Sequence, residues 1–358
     1  MEKLCFFNTA KAWGGGEKWH FEVSSYLHQK GHSVLVIAHS ESVLYDKLLK
    51  AGIPCQGIGL TNLSFLNPLK HASIKNLLKK NNVRTIIMNL SRDVKIAGPS
   101  AKKAEVKRII YRRGSAIPIK NSFLNRFLFK KVISEVLANS IATKKTVLEN
   151  NPNLIPEEKI KVIYNGINIV DTNTKIKQAS EKEFVLANLG RLEYQKNQKF
   201  LIPLAIELKK RGLIFKVIIG GEGRLRNELE AMIKEHGLEE HVLLSGFVHD
   251  PISFLFQADV FVLPSLWEGF GYVLAEAALC KKPIIAFDIS SNPELVVHGK
   301  TGYLLNVNDI EAFADKVVDL YENKDLRTQM GLNGFIKVKE NFDRKKQLRK
   351  IEDYLVNG

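Results

Sequence analysis

Short apolar runs recur along the chain, separated by stretches whose apolar positions repeat with the helical period of about 3.6 residues. Leu4–Phe7, Val34–Ala38, Thr85–Met88, Ile109–Tyr111, Val136–Ala138 and Lys161–Ile163 read as one series of strands. Phe184–Leu189, Phe215–Ile219, Val242–Leu244, Val260–Leu263, Pro283–Ala286 and Gly302–Leu304 form a second. Gln198–Arg211 and Arg224–His236 carry the helical period, and Phe342–Leu355 reads as a charged terminal helix. Strands alternating with helices at this spacing predict parallel sheets with helices on both faces. Two series of about six strands therefore predict an α/β chain of two doubly wound, Rossmann-like domains. The boundary falls in Tyr164-Asn165-Gly166-Ile167-Asn168, a turn-type cluster after a strand, and the polar stretch from Asp171 to Glu183 lacks any apolar period. The expected division is 1–165, 166–341, and a terminal helix over 342–358.

In open parallel sheets, ligands bind beyond the carboxyl ends of the strands, so chemistry-bearing residues should follow strands directly. Trp13-Gly14-Gly15-Gly16-Glu17-Lys18 does so after the first strand. Its glycines let backbone amides close on an anion at a helix start, although a tight turn explains the same residues. Trp19 stands where a nicotinamide-binding G-x-G-x-x-G loop needs its third glycine. Gly190-Arg191-Leu192-Glu193-Tyr194-Gln195-Lys196-Asn197 follows the first strand of the second series. There Arg191, as a fork, and Lys196, as a point charge, suit one diphosphate. Gly220-Gly221-Glu222-Gly223 either admits nucleotide backbone at Gly221 or simply turns the chain, and Val248 would border a nucleobase. After Leu263 comes Pro264-Ser265-Leu266-Trp267-Glu268-Gly269-Phe270-Gly271-Tyr272, then Glu276. On one helix the two glutamates would lie about 12 Å apart. A loop position for Glu268 and a second-turn position for Glu276 are therefore expected, with the amides of Gly269–Gly271 opening the helix. Carboxylates accept paired hydrogen bonds from vicinal sugar hydroxyls.

Charge divides unevenly. Residues 1–170 hold 27 lysines and arginines against 11 acidic residues, and the remainder holds 26 against 27. Lys102–Arg113 and Lys120–Lys131 concentrate the excess, the second mixing Phe123, Phe127 and Phe129 with its cations. Such a segment suits an anionic membrane surface or an anionic acceptor, the plainer alternative being a core helix with a solvated basic face. No stacking-aromatic platform accompanies the charge, so nucleic acid is not expected as a partner. The absence of a long apolar run and the three scattered cysteines suggest a reduced, cytoplasmic setting, or a peripheral one on the inner face of the plasma membrane.

Glu268 and Glu276 stand in an E-x7-E relation with Gly-Phe-Gly between them, followed by Pro283-Ile284-Ile285-Ala286, Pro293-Glu294 and Gly299-Lys300-Thr301-Gly302-Tyr303-Leu304. This set resembles the signature of the family 4 retaining glycosyltransferases, and the Gly-Arg-x4-Lys element, the loop at 14–16 and the Asn165-Gly166 turn extend the likeness. The resemblance implies a GT-B fold: two Rossmann-like domains facing across a crevice, the first for acceptor, the second for a nucleotide-diphosphate-sugar donor, with the last helix crossing back to the first. It implies that Arg191 and Lys196 neutralise the departing diphosphate and that Glu268, with the Gly269, Phe270 and Gly271 amides, holds the transferred sugar. Glu276 would hold the ribose, Gly15 and Gly16 would approach the diphosphate, and Gly14 the acceptor.

Several positions depart from that pattern. Where a crevice histidine is usual, the chain reads Ile110-Tyr111-Arg112-Arg113, and an arginine there would bind an anionic acceptor such as a lipid-linked or phosphorylated cell-envelope glycan (lipopolysaccharide, capsule or glycolipid). Asn168 replaces an acid, Lys281 a helix-ending glycine, and Ser290–Ser291 a glycine pair. No D-x-D sequence occurs, so transfer without metal or other cofactor is expected, and the resemblance implies retention. A sugar-nucleotide epimerase of the same fold and a non-catalytic sugar-binding protein are the rival readings.

Overall fold

The computed structural model describes residues 3–169 and 183–358, which leaves all but the last residue of the polar 171–183 stretch outside the described residues. The chain forms two compact units, one running to Asn165 and joined by Lys345–Gly358, the other spanning Gly166–Arg344. Each is a parallel sheet covered by helices.

The strands of the first unit are β1 (Lys3–Asn8), β2 (Val34–His39), β3 (Cys55–Ile58), β4 (Val83–Met88), β5 (Arg108–Arg113), β6 (Glu135–Ala138) and β7 (Ile160–Val162). They lie in the order β3-β2-β1-β4-β5-β6-β7. Its helices are α1 (Gly15–Gln29), α2 (Val43–Lys50), α3 (Pro68–Lys80), α4 (Ser91–Lys103), α5 (Phe123–Lys131) and α6 (Ile141–Leu148). Side chains alternate across a strand, so Cys5 and Phe7 of β1 enter one core, shared with α3, α4 and α5. Leu4 and Phe6 enter the other, where α1 presents Trp19, Val23 and Leu27 at four-residue spacing. β3 is the one strand the apolar pattern missed. Cys-Gln-Gly-Ile is half-buried at a sheet edge and has no apolar run to show.

The second unit holds β8 (Phe184–Leu189), β9 (Phe215–Gly220), β10 (Val242–Gly246), β11 (Val260–Leu263), β12 (Ile284–Phe287) and β13 (Gly302–Leu305), in the order β10-β9-β8-β11-β12-β13. Around them lie α7 (Leu201–Lys210), α8 (Arg226–Glu235), α9 (Pro251–Phe256), α10 (Tyr272–Leu279), α11 (Asn292–Leu295), α12 (Ile310–Glu322) and α13 (Lys324–Asn341). Phe200, Phe287 and Phe313 meet edge to face in its core, with centroids 4.9–6.0 Å apart. Lys281 adopts φ 54° at the end of α10, so the left-handed cap forms without the glycine that its sequence position suggested was needed.

The terminal helix, α14 (Arg344–Glu352), begins two residues later than expected. Phe342 stays in the second unit, where its ring meets Phe270 at 5.4 Å. Leu348, Ile351 and Leu355 fill the α1–α2 core of the first unit. Glu352 accepts from Tyr26 Oη at 2.6 Å and lies 2.7 Å from His32 Nε2. Ile351→Ala should therefore cost the first unit about 2–4 kcal/mol, measured by urea unfolding.

Candidate functional site

A doubly wound sheet has one place where strand order reverses, and loops leaving the two strands there part to opposite faces and open a site between them. In the second unit this switch lies between β8 and β11. The loop after β8 carries Arg191 and Lys196, and the loop after β11 carries Glu268.

The two loops are joined by charge. Lys196 Nζ lies 2.5 Å from Glu268 Oε1, and both side chains are largely buried, at 13% and 7% exposed. Ser265 Oγ donates to the same oxygen at 2.8 Å, while Ser291 Oγ after β12 donates to the Glu268 carbonyl at 3.2 Å. Backbone bonds reinforce the join: Leu266 N donates to the Gln195 carbonyl, and Gln195 Nε2 to the Trp267 carbonyl, both at 2.8 Å. Glu268 thus sits in a loop, and Glu276 lies half-buried in the second turn of α10, as their spacing required. Gly269 and Gly271 are buried, and Gly271, at φ 73°, precedes the helix. Phe270 turns its ring into the core against Tyr272 and Phe342, which leaves only its backbone for a ligand. Arg191 is exposed, with its carbonyl accepting from Gln198 Nε2 at 3.1 Å.

Gly221 belongs to the same edge. At φ 135° its missing side chain would strike the Gly190 carbonyl, so only glycine lets the loops after β8 and β9 touch. Its amide donates to the Gly246 carbonyl at 2.7 Å, and Val248 packs over Gly220. Ser265, Ser291 and Gln195 were not assigned roles from the sequence. Serine and glutamine in loops carry no distinguishing signal until their partners, tens of residues away, are known.

The first unit repeats the arrangement at its own switch, between β1 and β4. After β1, Thr9 donates its amide to Asp93 Oδ2 at 3.1 Å and its hydroxyl to Oδ1. Arg92 donates to Thr9 Oγ1 at 3.1 Å and to its carbonyl. Gly14 caps α1 in extended conformation, Gly15 opens the helix, and a side chain at Gly16 would collide with Asn89 after β4. The glycine loop is thus pressed against the neighbouring strand's loop. His20, one turn on, is fully buried beside the Gly16 carbonyl at 3.0 Å; burial, then Arg112, lowers its pKa to about 3, so the imidazole stays neutral.

Arg112 is held within the first unit. It is buried, donates to Asn89 Oδ1 at 2.9 Å and Asn165 Oδ1 at 3.0 Å, and lies over Trp19 at 4.8 Å. The guanidinium ties the end of β5 to the β4 loop and the interdomain turn. Arg113 is only half-buried and borders a cavity with Lys95 and Lys120.

Two parallel-sheet units, each with bonded loops at its switch point, define an α/β fold, and solved structures specify it. The Anabaena protein HepE in complex with UDP superposes with a TM-score of 0.86 over 99% of this chain and 100% of its own, at 22% identity. The fold is GT-B. Residues 13–170 match Glycosyltransferase Family 4, and residues 170–336 match Glycosyl transferases group 1. The chain belongs to this glycosyltransferase family. An N-acetylgalactosamine-N,N'-diacetylbacillosaminyl-diphospho-undecaprenol 4-alpha-N-acetylgalactosaminyltransferase of Campylobacter jejuni is 27% identical, across 84% of this chain and 78% of its own length. A UDP-Gal:alpha-D-GlcNAc-diphosphoundecaprenol alpha-1,3-galactosyltransferase of Escherichia coli is 28% identical, across 83% and 81%.

The pairing changes what substitution at Lys196 should do. Removing one partner of a buried ion pair strands the other, so Lys196→Ala should lose about 3 kcal/mol of stability as well as turnover. Adding Glu268→Gln should restore part of that loss in urea unfolding. Additive losses would show that the pair is not coupled.

Proposed function

We propose that this glycosyltransferase works with retention and without a metal, takes a UDP-sugar, and extends a lipid-linked glycan of the cell envelope from the inner face of a membrane. The observation that carries the reading is the buried Lys196–Glu268–Ser265 cluster at the β8/β11 switch. It sets a cation and a hydroxyl-accepting carboxylate side by side, as a diphosphate attached to a sugar requires. UDP and UDP-glucose are the ligands in the HepE structures, which supports the choice of base. The diphospho-undecaprenol acceptors in the names of the two relatives support the choice of acceptor.

In this reading Lys196 and exposed Arg191 take the diphosphate, while Glu268 and the amides of Gly269, Phe270 and Gly271 take the sugar. Glu276 takes the ribose, and Gly221 and Val248 border the nucleotide. Gly14, Gly15 and Gly16 serve the first unit's side of the reaction. The bond from anomeric carbon to diphosphate oxygen breaks as the acceptor oxygen bonds on the same face. The acceptor proton passes to the departing phosphate oxygen. Fixed cations then stabilise the leaving charge, the contribution a metal would otherwise make. The inner-face location is supported by the positive charge of residues 1–170.

UDP at 100 times its dissociation constant should stabilise the protein by about 2.7 kcal/mol, seen as a raised melting temperature, while GDP, ADP and CMP should not. Silence with every nucleotide would contradict the donor assignment. Product anomers followed by proton NMR in excess EDTA should keep the donor's configuration at undiminished rate; inversion, or loss of activity, would refute retention or metal independence respectively.

A further inference from the structure

We propose that the cavity bounded by α4, β5 and α5 in the first unit receives the phosphate end of a lipid-linked acceptor; this rests on the donor–acceptor reading above. The cavity measures about 310 Å³, at the small end of ligand pockets. Lys95, Arg113 and Lys120 line it beside the polar Ser91 and Asn125, and no aspartate or glutamate does. Three cations without a carboxylate among them make a site whose counter-charge must come from a ligand.

Arg113 is built into this wall. It donates to Tyr111 Oη at 3.2 Å, to the Ser115 carbonyl at 3.3 Å and to the Ile117 carbonyl. These bonds fix the guanidinium while its Nε is buried without a partner. So held, the guanidinium keeps a fixed positive charge at the wall, and arginine–phosphate hydrogen bonds are among the strong ones. Lys95 is half-buried, its ammonium 5.6 Å from the Phe65 ring, so its position is also constrained.

The flanks of the cavity point to a lipid rather than a free phosphate. Leu124 and Pro118 line it, and their neighbours Phe123 and Ile117 are 79% and 47% exposed. Large apolar side chains beside a cationic pocket match a hydrocarbon chain esterified to phosphate. The basic, phenylalanine-rich helix α5 thus supplies one wall of a site as well as a charged surface.

The test titrates the full chain, saturated with UDP so that the donor site is filled, with farnesyl diphosphate, inorganic pyrophosphate and farnesol. Wild type should bind farnesyl diphosphate at least about tenfold more tightly than either fragment. Lys95→Ala with Lys120→Ala should weaken that binding by about tenfold or more, leaving UDP affinity unchanged. Arg113→Gln should do the same, and the lysine pair keeps the test informative if Arg113→Gln perturbs its loop. Undiminished farnesyl diphosphate binding in the lysine variant overturns the site. Equal affinity for pyrophosphate overturns the lipid assignment. Failure of wild type to bind UDP would instead fault the donor reading on which the proposal rests.

Discussion

The ion pair between Lys196 and Glu268 fastens the loop after β8 to the loop after β11, at the point where the second unit's sheet reverses its strand order. Loops at such a point have no ladder hydrogen bonds to hold them, because their strands send the chain to opposite faces. Charge and hydroxyl bonds do that work here, and Ser265 and Ser291 extend the join towards β12. A buried pair of this kind is expensive to desolvate and adds little net stability, but it fixes geometry. What it fixes is a cation beside a carboxylate, the arrangement on which the proposed donor site rests.

The first unit meets the same constraint with different residues. Thr9, Arg92 and Asp93 join the loops after β1 and β4, and Gly16 presses on Asn89. Arg112 then carries the connection to Asn165, the last residue before the chain crosses to the second unit. At the end of its strand, Arg112 is a buried tie between loops. The neighbouring Arg113 borders a cavity instead. One residue of register decides which arginine is structural, since successive strand residues point to opposite faces.

Most of the fold was legible because strands of a doubly wound sheet are buried on both faces and read as continuous apolar runs. β3 was not, because an edge strand reading Cys-Gln-Gly-Ile has no such run. The loop position of Glu268 followed from helical rise alone. Its partnership with Lys196, 72 residues away, did not, because neither propensity nor periodicity encodes which loops a sheet brings together. The partners of Arg112 were hidden for a related reason: Asn89 and Asn165 are ordinary loop asparagines until the β4–β5 pairing places them. Lys281 shows the opposite limit. A lysine takes the left-handed cap at the end of α10, a conformation that costs a non-glycine residue only about 1–2 kcal/mol and that packing can override.

The most direct measurement is the affinity of a Lys196→Met chain for UDP and for uridine, each compared with wild type by calorimetry. In the proposed reading Lys196 meets the diphosphate, so the variant should lose about tenfold or more in UDP affinity while uridine binding is unchanged. Equal UDP affinity in the two proteins would contradict that role and reduce the Lys196–Glu268 pair to a structural clasp.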